Sequence, residues 1–222
     1  MTESNQETTA EESMSKEDLK YTLERLYKCR DLEISNLWQR SVFLSVFLIL
    51  CFTAYGYLAL EILKMSEQKL VFHLVCLGLT AVGAIFSVIW ILMGKASKAW
   101  YEVYETAITK FEHSHFKILG LPKKNIMGNM EFPADQKNNS IFKTSGGAYS
   151  PSKINIGIGV VSLFLWMILG AIHLFFGLAN LQDCNAQGDF YIVLGMVTIV
   201  FVTIIIIMCF TRTNFLRSNF LE

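Results

Sequence analysis

Four stretches of this chain contain no aspartate, glutamate, lysine or arginine: Ser41 to Leu60, Leu70 to Gly94, Ile154 to Gln182 and Phe190 to Thr211. A helix rises about 1.5 Å per residue, so each stretch is long enough to cross a hydrocarbon layer roughly 30 Å thick. One charge at the centre of such a helix costs about 2.5 to 3.5 kcal/mol, which explains why all four lack them. The competing architecture is a water-soluble bundle. Its helices would need a polar stripe, and Val197 to Met208 offers only Thr198 and Thr203. Hydrophobic residues make up 53% of the 222, too many for a soluble domain of this length. The expected fold is all-α: an integral membrane protein with four transmembrane helices and two cytoplasmic amphipathic helices.

Orientation follows from the cations outside these windows. The first 40 residues, the loop from Lys95 to Lys153 and the tail after Thr211 together hold seventeen Lys and Arg, while the Glu61 to Lys69 loop holds two and the Asp183 to Asp189 loop none. Cytoplasmic loops collect cations, so the termini and the central loop are expected inside and the chain multi-pass. The first apolar run starts only at Val42, so the first span is expected to act as its own insertion signal. The expected divisions are a disordered polar tail (1–14), a cytoplasmic helix leading into the first span (15–40), and a transmembrane hairpin (41–94). A cytoplasmic helix and irregular loop (95–152), a second hairpin (153–211) and a cytoplasmic tail (212–222) complete the chain. Ser15 and Asp18 form an approximate capping box for the first helix, whose apolar face carries Leu19, Leu23, Leu26, Ile34 and Leu37. The second cytoplasmic helix, near Ser97 to Ile118, places Trp100, Tyr104, Ala107, Phe111 and Ile118 on its apolar side, with Glu102, Glu105, Thr109 and Glu112 opposite.

In lipid, helices associate through close packing and interhelical hydrogen bonds, so small and weakly polar residues mark protein-facing sides. Thr80, Gly83 and Ser87 form such a stripe on the second span, and Gly159, Ser162, Gly170 and Gly177 another on the third. These spans are expected inside, with the fourth toward lipid. The stripes are also more than one copy needs, which points to a homo-oligomer.

The candidate chemistry lies toward the outer ends of the spans. Glu61, His73, His173, Asp183 and Asp189 would converge there, and histidine titrates near neutrality, so the group is a candidate pH sensor or ion vestibule. The competing reading makes the histidines interhelical hydrogen-bond donors and the acids solvated. Arg30 interrupts the apolar face of the first helix, and Glu102, Glu105 and Glu112 form an acidic ridge on the second. A pair between Arg30 and one of these glutamates would lock the two helices together; the competing reading is a solvated acidic face. Glu112 and His115 have ExxH spacing, but a di-iron site takes two such motifs and two further glutamates. Five scattered cysteines form no metal-ligand or disulfide pattern, and Ser145, Gly146 and Gly147 lack the phosphate-loop spacing. No nucleophile and base pair stands out. A protein without catalytic activity or cofactor is expected. Nineteen cations balance nineteen anions with no isolated basic patch, which argues against nucleic acid as a partner.

The run Tyr27, Lys28, Cys29, Arg30, Asp31, Leu32, Glu33, followed by Asn36, Leu37, Trp38, Gln39, Arg40, Ser41, resembles the RipA family of octameric bacterial membrane proteins. Trp100, Tyr101, Glu102, Tyr104 and Glu105, and the entry Ser152, Lys153, Ile154, Asn155, Ile156 to the third span, fit the same resemblance. It implies a cell inner-membrane location and an octamer of this chain among membrane lipids, and the first reading of function is a structural or scaffolding role tied to envelope homeostasis or stress adaptation. It brings no catalytic or binding residues. An oligomeric channel or pore, pH-responsive through the outer cluster, is the alternative. A pore should admit water past Thr80, Ser87 and Ser162, whereas a scaffold should pack those faces dry or enclose lipid.

Overall fold

The computed structural model describes residues 15–64, 69–129, 149–179, 194–195 and 197–206. Among the described residues there are four α-helices: α1 (Lys16–Lys64), α2 (Lys69–Leu119), α3 (Pro151–Ala179) and the shorter α4 (Val197–Ile206). The first three are long and apolar enough to cross a membrane, so this is a multi-pass helical membrane protein. The described part of the fourth window is a ten-residue apolar helix. The tails 1–14 and 212–222, the loop 130–148 and the Asp183 to Asp189 loop lie outside the described residues.

Helix ends follow local chemistry. Ser15 accepts the Asp18 backbone N–H at 3.2 Å and donates its own hydroxyl to the Asp18 carboxylate at 2.7 Å, capping α1. Gly120 stops α2 with φ at +72°, a left-handed conformation that costs glycine least. There Gly120 N–H bonds the Lys117 carbonyl and Leu121 N–H bonds the Phe116 carbonyl, satisfying two of the carbonyls a helix end leaves open. Pro151 begins α3, where its missing N–H costs nothing.

The chain divides into two units. The first combines residues 1–39 with 95–150, and the second residues 40–94 with 151–222. In the first, Leu19 and Ile108 are buried on helices, and two short 3-10 turns, Lys123–Asn125 and Met127–Asn129, flank the buried Ile126. The second unit is built around α2. In its most apolar 18-residue window 44% is buried, against 28% for α3 and 17% for α1. Leu44, Leu48 and Cys51 of α1, Ala84 and Trp90 of α2 and Trp166 of α3 form one core. Phe47 stacks on Phe86 with centroids 4.0 Å apart, and Phe52 stacks on Trp166 at 4.1 Å. A smaller cluster places Leu70 and Leu77 with Leu174, Ile199 and Val200, so α4 packs against α2 and α3. Val197, Phe201, Val202, Ile204 and Ile205 of α4 are exposed.

Candidate functional site

The polar groups of the second unit form a seam between helices. Contacts run antiparallel between α2 and α3, so residues rising along one meet residues falling along the other. At one end Trp90 Nε1 donates to Asn155 Oδ1 at 3.0 Å, and Asn155 Nδ2 donates to Ser41 Oγ at 2.7 Å, joining three helices through one amide. In the middle Ser87 donates to the Gly83 carbonyl at 2.8 Å and lies 2.9 Å from Ser162 Oγ. Thr80 donates to the Leu77 carbonyl at 2.8 Å.

The glycines on the seam let the helices approach. A Cβ on Gly83 would lie 2.3 Å from Trp166 Cε2. One on Gly159 would lie 3.0 Å from Ile91 Cγ1, and one on Gly170 3.1 Å from Thr80 Oγ1. Gly177 is also buried. The stripes of the second and third spans thus face each other within one chain. They do not supply the spare surface that the sequence suggested for contacts between copies, because bulky side chains, Trp90 and Trp166 above all, need small partners opposite. Trp166 Nε1 is the one buried side-chain polar atom among the described residues without a hydrogen-bond partner. The indole is held there by its packing. Next to it, Leu77, Ala84, Met167, Leu174, Ile199 and Ile204 contribute to an apolar groove of about 530 Å³.

The far end of the seam holds both histidines of the expected outer cluster. His73 Nδ1 lies 2.9 Å from His173 Nδ1, and His173 Nε2 lies 2.9 Å from the Tyr55 hydroxyl. His73 and His173 are 6% and 5% exposed. The Tyr55 ring meets His173 edge-on, and Phe176 stacks beside His73. Glu61 pairs with Lys64 at 2.9 Å. Asp183 and Asp189 lie outside the described residues. Tyr55 is the member that sequence reasoning missed. It sits on the first span, without a polar neighbour to mark its face, and its partner is 118 positions away.

In the first unit Glu112 is 3% exposed, which corrects its place in a solvated acidic ridge. Tyr27 donates to its Oε1 at 2.7 Å and the Met127 backbone N–H to its Oε2 at 2.8 Å, so both oxygens are satisfied without a cation. Among the described residues Arg30 does not join a glutamate. Its guanidinium pairs with Asp31, lies 4.9 Å from the Tyr27 ring centroid and reaches Met127 Sδ at 4.0 Å. Glu102 pairs with Lys98 one turn back, which is the contact i,i+4 spacing favours. Glu105 remains half-exposed, and Ile118, expected on the apolar side, is exposed. His115 Nδ1 donates to the Phe111 carbonyl at 3.0 Å. Burial, then the bond to Glu112, pushes the Tyr27 phenol up to about 12.

Residues 20–176 match the octameric membrane protein family (8xMP). The chain belongs to that family. The matched segment contains the whole seam, from Ser41 to His173, together with the Tyr27 and Glu112 contact; the described part of α4 lies beyond it. No curated protein and no solved structure shows a significant match. Membership supplies an expectation of self-association for this 8xMP protein that the internal stripes no longer carry. The large apolar side chains left exposed on α1 and α3, such as Phe43, Ile49, Leu50, Phe164 and Ile168, are what lipid and neighbouring copies would meet.

Proposed function

We propose that this 8xMP protein is an octameric scaffold of the bacterial cytoplasmic membrane, of the RipA type, whose partners are lipids and further copies of the same chain. In this reading α4 belongs to a fourth span, and the amphipathic parts of α1 and α2 lie in the cytoplasm with both termini. The role requires no catalysis and no cofactor.

The supporting observation is that the hydroxyls of the seam are buried. Thr80, Ser87 and Ser162 are 2%, 0% and 7% exposed. A conducting path needs polar side chains turned toward water, whereas Thr80 and Ser87 bond carbonyls of α2 itself and Ser87 lies against Ser162 of α3.

Native mass spectrometry of the full chain in mild detergent is expected to give eight copies, and a stable monomer would overturn the proposal. Verified octamers in planar bilayers are expected to pass no current between about pH 5 and 8, the range in which histidine titrates. A reproducible conductance would replace the scaffold with a pore. Orientation has its own test. An impermeant thiol reagent added to intact spheroplasts is expected to label Cys184 and spare Cys29, and the reverse pattern would invert the topology.

A further inference from the structure

The histidine end of the seam is more specific than helix packing requires. At the other end of the seam Trp90 and Asn155 join a donor to an acceptor whose roles are fixed. The contact between His73 and His173 joins two identical atoms, Nδ1 to Nδ1 at 2.9 Å, and either can be the donor. That distance allows one proton between the rings and no more. With none, two lone pairs would face each other; with two, two N–H groups would.

The third member makes the chain reversible. Tyr55 can donate its hydroxyl to His173 Nε2 at 2.9 Å, whereupon His173 Nδ1–H donates to His73 Nδ1. In the reverse arrangement His73 Nδ1–H donates to His173 Nδ1, and His173 Nε2–H donates to the Tyr55 oxygen. Both arrangements are electrically neutral and satisfy both contacts. A third arrangement adds one proton: His173 carries hydrogens on both nitrogens, donating one to His73 and the other to Tyr55. Adding a second proton sets N–H against N–H and breaks the contact.

We propose that Tyr55, His173 and His73 form a binding site for a single proton, bridging α1, α2 and α3, and that a second proton parts the two histidines. The site is independent of the scaffold reading and would persist in a pore. Other ionisable groups around it are few among the described residues. On α2, Cys76 is fully buried one turn after His73; on α1, Cys51 is buried one turn before Tyr55, and Glu61, six residues past it, pairs with Lys64. The remainder of α3 after Trp166 and the described part of α4 contain no ionisable side chain. The site lies at the end of the unit where α1 finishes and α2 begins, the end expected from the cation count to face outside the cell.

The test is solid-state nitrogen NMR of the full chain, labelled at histidine and reconstituted in lipid bilayers, with the four histidines assigned by comparison with His113→Gln and His115→Gln. The wild type is expected to show a hydrogen-bonded Nδ1–H facing an unprotonated Nδ1, and the two rings should respond to pH together while taking up one proton. The signature of this facing pair is expected to vanish when the second proton binds. Tyr55→Phe and His73→Gln should each move the His173 midpoint by at least roughly one pH unit, a tenfold change in proton affinity. Two protons taken up independently, or a His173 midpoint unmoved in both variants, would overturn the site. If neither variant folds, the proton count of the wild-type pair decides alone.

Discussion

Gly83→Ala is expected to lower the stability of this protein by about 1 to 3 kcal/mol, the usual cost of forcing a methyl group into a filled interior. The same change elsewhere in a helix normally raises stability by about 0.5 to 1 kcal/mol, because alanine loses less backbone freedom on folding. What reverses the sign is Trp166. A Cβ at position 83 would lie 2.3 Å from Cε2, 2.4 Å from Cδ2 and 2.7 Å from Nε1 of its indole. The first two are ring-fusion atoms of a rigid bicycle, so no single torsion moves them aside. The ring cannot retreat freely either, because Phe52 stacks on it at 4.1 Å and the edge of Tyr55 approaches it at 6.1 Å. Gly78 lies on the same helix, with nothing within 4 Å of its missing Cβ, so Gly78→Ala is the matched control. Unfolding in mixed micelles, followed by tryptophan fluorescence, should separate the two variants in opposite directions. Equal stability of Gly83→Ala and Gly78→Ala would show that α2 and α3 do not pack through this contact.

The second large effect is expected at Glu112. Glu112→Ala leaves the Tyr27 hydroxyl and the Met127 backbone N–H, both half-buried, without their acceptor, and about 1 to 3 kcal/mol per group is the ceiling that full burial would set. The damage should be local as well as global, since Glu112 ties the turn at Met127 to α2. Lys123 and Lys124 are exposed beside that turn, so trypsin reads its opening directly. Each 1.4 kcal/mol corresponds to tenfold in the open population, so cleavage after these lysines should accelerate at least about tenfold in Glu112→Ala and less in Glu112→Gln, which keeps one acceptor. An unchanged cleavage rate would mean the carboxylate does not hold the turn.

Tyr27 adds a dependence on alkaline pH. Its phenol is held up to about 12 in the folded state, first by burial and then by Glu112, against an ordinary phenol value of 10.0. The folded state therefore keeps this proton after the unfolded chain has released it. Stability from Tyr27 is fully present below about pH 10 and declines as the pH rises toward 12. Tyr27→Phe should remove that alkaline decline while lowering stability at neutral pH through the lost hydrogen bond.

The apolar helices were legible in the sequence because membrane insertion is a property of composition along a segment. The absence of charge over Ser41 to Leu60, Leu70 to Gly94 and Ile154 to Gln182 is enough to predict helices there, whatever their partners. One helix end was legible for a similar reason, since Ser15 acts on a backbone group three residues on; Pro151, expected in the irregular loop, instead begins α3. The small residues of the second and third spans were also visible as faces, since 3.6 residues per turn determines which side chains share a side.

What those faces meet was decided by tertiary structure. A stripe of small residues has the same appearance whether it receives a helix of the same chain or of another copy, and only the Gly83 contact with Trp166 and the Ser87 contact with Ser162 place it inside one chain. Glu112 was misplaced for a related reason. A carboxylate on a helix counts as polar in any periodicity, and the donor that makes its burial tolerable, Tyr27, is 85 positions away. A longer separation, 118 positions, hid Tyr55 from His173. Local rules determine where a helix begins, how long it runs and which side is apolar. Whether a buried polar group is a defect or a site depends on a partner brought from elsewhere in the chain, because its desolvation is offset only by a specific atom at hydrogen-bond distance.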